Sequence, residues 1–271
     1  MKTIRSKDNP LVKELAGLAH SARVRKKSGL TVLDGLHLVS SYLDTGAALE
    51  TLCIAESAAG GAEVATLLAR DRLGAAHVLA DNLMAALSGL DSPAAVIAVV
   101  RTPLSRPASD RADVLLLDNV QDPGNVGSLI RSAAAAGFQD VLATHGTAFL
   151  WSPKVLRAGQ GAHFSLNLIE GADAQAFLMA YRGRSVALVA GQEGQPNLYG
   201  QDLRSPIALM IGNEGTGLGP ALAAAATVRA HIPMPGRIES LNAAAAGAIA
   251  LFECVRQRMT ISSSGKQGHR R

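Results

Sequence analysis

Apolar positions in this chain fall into two kinds of run. Short runs of leucine, isoleucine, valine and alanine recur at 30–33, 52–55, 77–79, 94–100, 114–118, 141–143, 166–169, 186–190, 207–211 and 228–232. Their length and β-branched content predict strands. Between them lie longer stretches with helical spacing, at 10–25, 36–45, 63–73, 81–87, 126–137, 153–157, 172–181, 218–226 and 242–258. Strands alternating with helices predict an α/β fold with a mostly parallel sheet covered on both faces.

A polar segment punctuated by Pro103 and Pro107 interrupts this alternation. It divides the chain into an α/β domain at 1–103, a linker at 104–112 and a second α/β domain at 113–260. The tail at 261–271 is polar and basic, a composition that predicts disorder.

Charge sharpens the division. Residues 1–31 carry a net +6 and residues 256–271 a net +5, while the segment between carries −7, for +4 over 271 residues. Basic ends on an acidic body predict contact with a polyanion, or serve only to solubilise. Arg5, Lys7, Arg23, Arg25, Lys26 and Lys27 are the candidates to line a phosphate backbone. Apolar runs shorter than the ~20 residues of a membrane span, and no export signal, predict no membrane association. Cys53 and Cys254 are too sparse for a disulfide framework or a zinc site, which makes a reducing cytoplasm the default.

Candidate chemistry gathers in three loops at the carboxyl ends of expected strands, where open α/β sheets bind ligands. The first contains Asn125, Gly127 and Arg131. Asn125 is placed to cap the helix, Gly127 admits a close approach, and Arg131 lies one turn beyond Gly127. A capped helix with one surface arginine explains these residues equally well. The second loop, 212–218, holds three glycines around Asn213 and Glu214 directly after a buried-type strand. It has neither the dinucleotide-binding G-x-G-x-x-G nor the Gly-Lys-Ser/Thr of a P-loop, which argues against NAD and ATP. The third loop runs from Ile232 through Pro233, Met234, Pro235, Gly236 and Ser240 to Leu241 and Asn242. It leads into a helix of small residues, with Ser240 placed as its cap.

Taken together, the three loops resemble the three motifs of the SpoU/TrmH family of RNA ribose methyltransferases, within the SPOUT superfamily. Asn125-x-Gly127-x-x-x-Arg131 matches the first motif and Gly212-Asn213-Glu214-x-x-Gly217-Leu218 the second. Ile232-Pro233-Met234-x-Gly236-x-x-x-Ser240-Leu241-Asn242 matches the third, in the family's order. Residues 31–39 are similar to the start of the small ribosomal-protein-like RNA-binding domain common in the family, with Asp34 where glutamate is frequent.

The resemblance implies a SPOUT domain with a deep trefoil knot, a homodimer, and S-adenosyl-L-methionine bound in the knotted loops without metal. It implies cofactor contacts at Ala190, Gly212, Ile232 and Leu241. Asn125, Glu214, Ser240 and Asn242 would shape the catalytic site, and Arg131 would be the catalytic arginine. The expected reaction is methylation of a ribose 2′-hydroxyl in structured RNA, with ribosomal RNA favoured and transfer RNA the alternative. The rival from another class is a catalytically silent RNA-binding assembly factor. No motif residue is broken in the way such a loss would leave behind.

Overall fold

The structure is a computed structural model, which describes residues 3–70, 72–73, 75–88, 94–191 and 195–264, with the backbone alone for 260–264. The chain divides into two compact units. One comprises Met1–Leu104 with Trp151–Phe164, and the other Ser105–Leu150 with Ser165–Arg271.

The first unit is built on a five-stranded sheet of β1 (Thr3–Ile4), β2 (Leu30–Asp34), β3 (Thr51–Ala55), β4 (Ala75–Leu79) and β5 (Val96–Arg101), in the order β1-β4-β3-β5-β2. β1, β4 and β3 run parallel, and β5 pairs antiparallel with both β3 and β2. Helices α1 (Pro10–His20) and α5 (Asp81–Ser88) cover one face, burying Leu15, Leu18 and Met84 against Val32, Cys53 and Ile97. The single helix expected at 10–25 is two. Ser21 ends α1 and its hydroxyl accepts from Val24 N–H at 3.3 Å, starting α2 (Ala22–Ser28). α3 (Leu36–Asp44) packs on β2, β5 and α4 (Ala62–Leu68).

Sequence order assigns 153–157 to the second region, yet α7 (Pro153–Gly159) and its flanks pack inside the first unit. Thr31 Oγ1 donates to the Trp151 carbonyl at 2.8 Å, and the Tyr42 and Phe164 rings meet edge to face at 5.3 Å. The Arg157 guanidinium donates at 3.0 Å to both the Asp34 carboxylate and the Ser88 carbonyl. Burial pushes the Asp34 carboxyl up, and Arg157 offsets part of that rise.

The second unit has a six-stranded sheet, parallel throughout, in the order β11-β9-β10-β6-β7-β8. Its strands are β6 (Val114–Leu117), β7 (Asp140–Ala143), β8 (Asn167–Glu170), β9 (Arg184–Leu188), β10 (Ile207–Ile211) and β11 (Val228–Ala230). β6, β10 and β7 are buried along their whole length, as runs without polar alternation predict. On one face Ala174 of α8 (Ala174–Ala180) and Leu222 of α9 (Pro220–Ala225) join Val114, Leu116, Ala187 and Met210 in one core. The long helix α10 (Ala243–Ser264) packs on α6 (Pro123–Ala135) and β10. A Cβ at Gly247 would run into the Leu129 side chain, so this glycine sets how closely α10 and α6 approach. Farther along, Arg258 grips Asp113 with two hydrogen bonds of 2.6 and 2.8 Å.

The stretch expected as a linker is held down. Buried Asp140 accepts from Ser109 N–H at 3.0 Å, and Asn167 and Arg106 exchange two more hydrogen bonds. Helix α10 extends through Ser264, past the expected start of the tail, and residues 265–271 lie outside the described residues.

Candidate active site

In the second unit the strand order reverses at β6. β7 and β8 lie to one side of it, while β10, β9 and β11 lie to the other. Such a reversal splays the connections apart and leaves a crevice at the carboxyl ends of the two central strands. Leu117 and Ile211 are register partners there, so the loops that follow β6 and β10 start side by side.

The loop after β10 turns back on itself at once. A Cβ on Gly212 would collide with the backbone of Gly217 and Leu218, so only glycine fits that position. Asn213 and Gly217 exchange backbone hydrogen bonds of 3.0 and 2.9 Å. The Asn213 side chain closes the turn, its Oδ1 accepting at 3.0 Å from the N–H groups of both Gly215 and Thr216.

Glu214 projects from this turn to the loop after β6. Its carboxylate accepts from Gln121 N–H and Asp122 N–H at 3.1 Å each and from Asn125 Nδ2 at 3.0 Å. Burial pushes the Glu214 carboxyl up, but these donors outweigh it and hold the carboxyl below its usual range. The other end of the Asn125 amide accepts from Asn242 Nδ2 at 2.8 Å. Asn242 Oδ1 in turn accepts from Ala244 and Ala245 N–H at 2.9 and 3.2 Å. One directed chain of hydrogen bonds, Asn242 to Asn125 to Glu214, therefore ties the three loops together.

Two capping roles differ from expectation. Asp122, not Asn125, caps α6, accepting from Asn125 N–H at 2.7 Å, with Pro123 in the first turn. Asp-Pro ahead of a helical run is the signature that identifies this cap. Asn242, not Ser240, caps α10, because its carbonyl oxygen lies within reach of the first free N–H groups.

Beside this network lies a cavity of about 580 Å³. Ala190, Gly212, Ile232 and Leu241, the four expected cofactor contacts, all line it. Glu214 and Ser240 line it as well, whereas Asn125 and Asn242 stand behind Glu214 in the hydrogen-bonded chain. Met234 of the third motif faces the cavity too, as do Arg229 and Glu239, which were not singled out from the sequence. Arg131 sits on α6, exposed to solvent, and its side chain makes no hydrogen bond or ion pair among the described residues.

Of the six basic candidates, Lys7, Arg23, Lys26 and Lys27 are exposed, and Arg5 is exposed but held by Glu56. Arg25 is a correction. It is 5% exposed, and its guanidinium donates to the Leu18 and Ala19 carbonyls at 2.5 and 3.1 Å. It satisfies the free carbonyl end of α1 and so is not presented to a phosphate.

The family model described as the SpoU rRNA Methylase family matches residues 113–252, and one described as an MRM3-like substrate binding domain matches residues 9–98. The chain is 32% identical over 254 residues to the 23S rRNA (guanosine(2553)-2′-O)-methyltransferase RlmP of Bacillus subtilis (strain 168), covering 93% of this chain and 98% of that one. Among solved structures, an RNA 2′-O ribose methyltransferase superposes with a TM-score of 0.81 at 30% identity, covering 95% of this chain and all of the other. The SpoU methyltransferase AviRb from Streptomyces viridochromogenes, solved with the cofactor AdoMet, superposes at 0.82 with 28% identity, covering 93% of this chain and 99% of that one.

Proposed function

The chain belongs to the SpoU rRNA methylase family, and we propose that it methylates a ribose 2′-hydroxyl in large-subunit ribosomal RNA from S-adenosylmethionine. It is an RNA 2′-O-ribose methyltransferase that uses this cofactor. The name of its Bacillus relative supports ribosomal RNA as the substrate. The observation that carries the reading is the Asn242–Asn125–Glu214 chain, which joins three loops beside one cavity.

That cavity fits the cofactor. Its volume lies within the roughly 300–1,000 Å³ of small-molecule sites. Leu188, Ile211, Leu218 and Ile232 offer apolar surface for an adenine, and Glu214 and Glu239 offer negative charge for a cationic donor. Ala190, Gly212, Ile232 and Leu241 are the residues assigned to hold it, with Ser240 at the same wall.

Bound S-adenosylmethionine supplies an activated methyl group, so the chain's own work is alignment and charge control. Glu214, Asn125 and Asn242 keep the cavity loops in register. Arg131 stays protonated. Its planar guanidinium is free to clamp the target phosphate and to stabilise the oxyanion that develops as the hydroxyl loses its proton. Lys7, Arg23, Lys26 and Lys27 are assigned to the RNA backbone, which makes affinity steeply salt-dependent.

We assign a homodimer as the working form. Exposed Ile238, Leu241, Phe252 and Met259, on the third loop and α10, support it. Cys53 and Cys254 are free and buried, with burial pushing both thiols up to about 12. Buried, reduced and unreactive cysteines support the cytoplasm as the location.

The test is incubation of the full chain with labelled S-adenosylmethionine and ribosomal or transfer RNA, followed by mapping of 2′-O-methyl positions. One methylated ribose in 23S rRNA is the expected result. Label in transfer RNA alone would move the substrate, and binding without transfer to any RNA would favour the silent assembly factor.

A further inference from the structure

Asp118 directly follows β6, and none of the motifs uses it. It does not line the cavity, and its hydrogen bonds go to Ile211, Gly219 and Thr144 and not to the Asn242–Asn125–Glu214 chain. Its backbone N–H donates to the Ile211 carbonyl at 2.8 Å, continuing the β6–β10 ladder by one residue. Its two carboxylate oxygens then diverge. Oδ2 accepts from Gly219 N–H at 2.9 Å, and Oδ1 accepts from Thr144 Oγ1 at 2.9 Å.

Gly219 is the far end of the loop that begins at Gly212. The near end is tied down by the next residue along from Asp118, since the Asn119 carbonyl accepts from Asn213 Nδ2 at 2.9 Å. Thr144, beyond the end of β7, locks both anchors together. Its hydroxyl donates to Asp118 and accepts from Asn119 N–H at 3.1 Å. Asn119 itself takes a left-handed φ of 56°, a conformation that asparagine adopts more readily than most non-glycine residues.

Between these anchors every residue from Gly212 to Leu218 lines the cavity. From Gly212 to Gly219 the loop contains four glycines, whose backbone freedom costs more entropy to order than that of any other residue. Fixing both ends of such a loop is the physical requirement for a preformed site, and neither Asn213 nor Glu214 reaches Gly219.

We propose that Asp118, oriented by Thr144, is a positioning residue that clamps the glycine loop in its cofactor-binding form. The proposal rests on reading the cavity as the S-adenosylmethionine site. It acts on cofactor affinity and leaves the transfer step alone, because Arg131, the residue assigned to that step, lies outside the clamp.

The variants separate this role from plain stability. Asp118→Ala removes both acceptors, and Thr144→Val removes the hydroxyl that aims them. Asp118→Asn keeps the clamp, with its oxygen accepting from Gly219 and its amide donating to Thr144 Oγ1.

The experiment titrates S-adenosylhomocysteine into each full-length protein by calorimetry. It also measures methylation at saturating RNA over a range of cofactor concentrations, and amide hydrogen exchange at 215–219. Asp118→Ala and Thr144→Val are expected to raise Kd and the cofactor KM about tenfold, the scale of one lost hydrogen bond to a charged group, while kcat stays within about threefold. Exchange at 215–219 should quicken in both, and Asp118→Asn should remain near wild type. If Asp118→Ala does not fold, the milder Thr144→Val carries the test. Wild-type Kd in Thr144→Val, or a drop in kcat with KM and loop exchange unchanged, would overturn the clamp. Failure of the wild type itself to bind S-adenosylhomocysteine would overturn the cofactor reading, and the clamp with it.

Discussion

Asn125 and Asn242 lie 117 residues apart in the chain, yet their side chains meet, with Asn242 Nδ2 donating to Asn125 Oδ1 at 2.8 Å. The direction of that bond is forced from both sides. Glu214 is ionised and accepts only, so Asn125 must turn its Nδ2 toward it. The first free N–H groups of α10 donate only, so Asn242 must give them its oxygen. The two amides then have one way to face each other.

This makes Asn125→Asp more damaging than its size suggests. The new carboxylate would face Glu214, and an amide donor would be lost. Asn125 is 9% exposed, so the expected loss is that of an unmet buried group, roughly 1–3 kcal/mol. Two carboxylates in contact raise the pKa of the pair, so the loss should be largest at neutral pH and shrink on acidification. Chemical denaturation at several pH values checks this. A loss that does not vary with pH would mean that the two groups do not interact.

Glu214 contributes its own pH dependence. Its folded pKa lies below the usual 4.5, so its stabilisation is complete above that value and fades as pH falls through the lower folded one. Wild type should therefore lose Tm more steeply than Glu214→Gln as pH falls below 4.5. Parallel Tm profiles for the two proteins would remove the carboxylate from the network.

Gly212→Ala should abolish cofactor binding without unfolding the sheet. The added methyl meets backbone, which cannot move aside as the end of a side chain can, so the loop must open. Calorimetry should show no S-adenosylhomocysteine binding while far-ultraviolet circular dichroism stays native.

Among the described residues, the Arg131 side chain makes no hydrogen bond or ion pair that would account for a structural role. Arg131→Lys keeps the charge but loses the planar fork. Both it and Arg131→Ala should lose on the order of a hundredfold in single-turnover methylation, with cofactor affinity unchanged. Near-wild-type rates in both variants would take the arginine out of the reaction.

Trp151 is the protein's one tryptophan and is 4% exposed, packed with His163 and Phe164 in the first unit. A fragment lacking residues 1–103 strips Thr31, Asp34 and Tyr42 from the 151–164 segment. Its fluorescence should shift to longer wavelength as the indole meets water. An unshifted spectrum would show that this segment holds its fold without the first hundred residues. The fragment is also expected to keep cofactor binding, because every residue lining the cavity lies beyond residue 187.

The local grammar of this fold was open to reading in one dimension. Strands such as β10 bury both faces and so carry unbroken apolar runs. Helices end where capping residues, glycines and prolines stop them. The three loops stood out because glycine, proline and asparagine clustered where strands ended, and because those clusters match known motifs. The sequence left undecided anything that depends on which loops become neighbours. Asn125 looked like a cap because asparagine often is one; Asp122 took that role because its carboxylate lies nearer the free N–H, and Asn125 was left to bridge Glu214 and Asn242. Arg25 looked like one more surface cation until the break at Ser21 set it over the open carbonyl end of α1. Asp118 carried no signal, since an acidic residue after an apolar run is ordinary. Only the parallel pairing of β6 with β10 and β7 sets it between Gly219 and Thr144. A hydrogen bond depends on distance in space, whereas periodicity and propensity act over neighbouring residues, so partners 89, 101 and 117 positions apart are chosen by the tertiary fold alone.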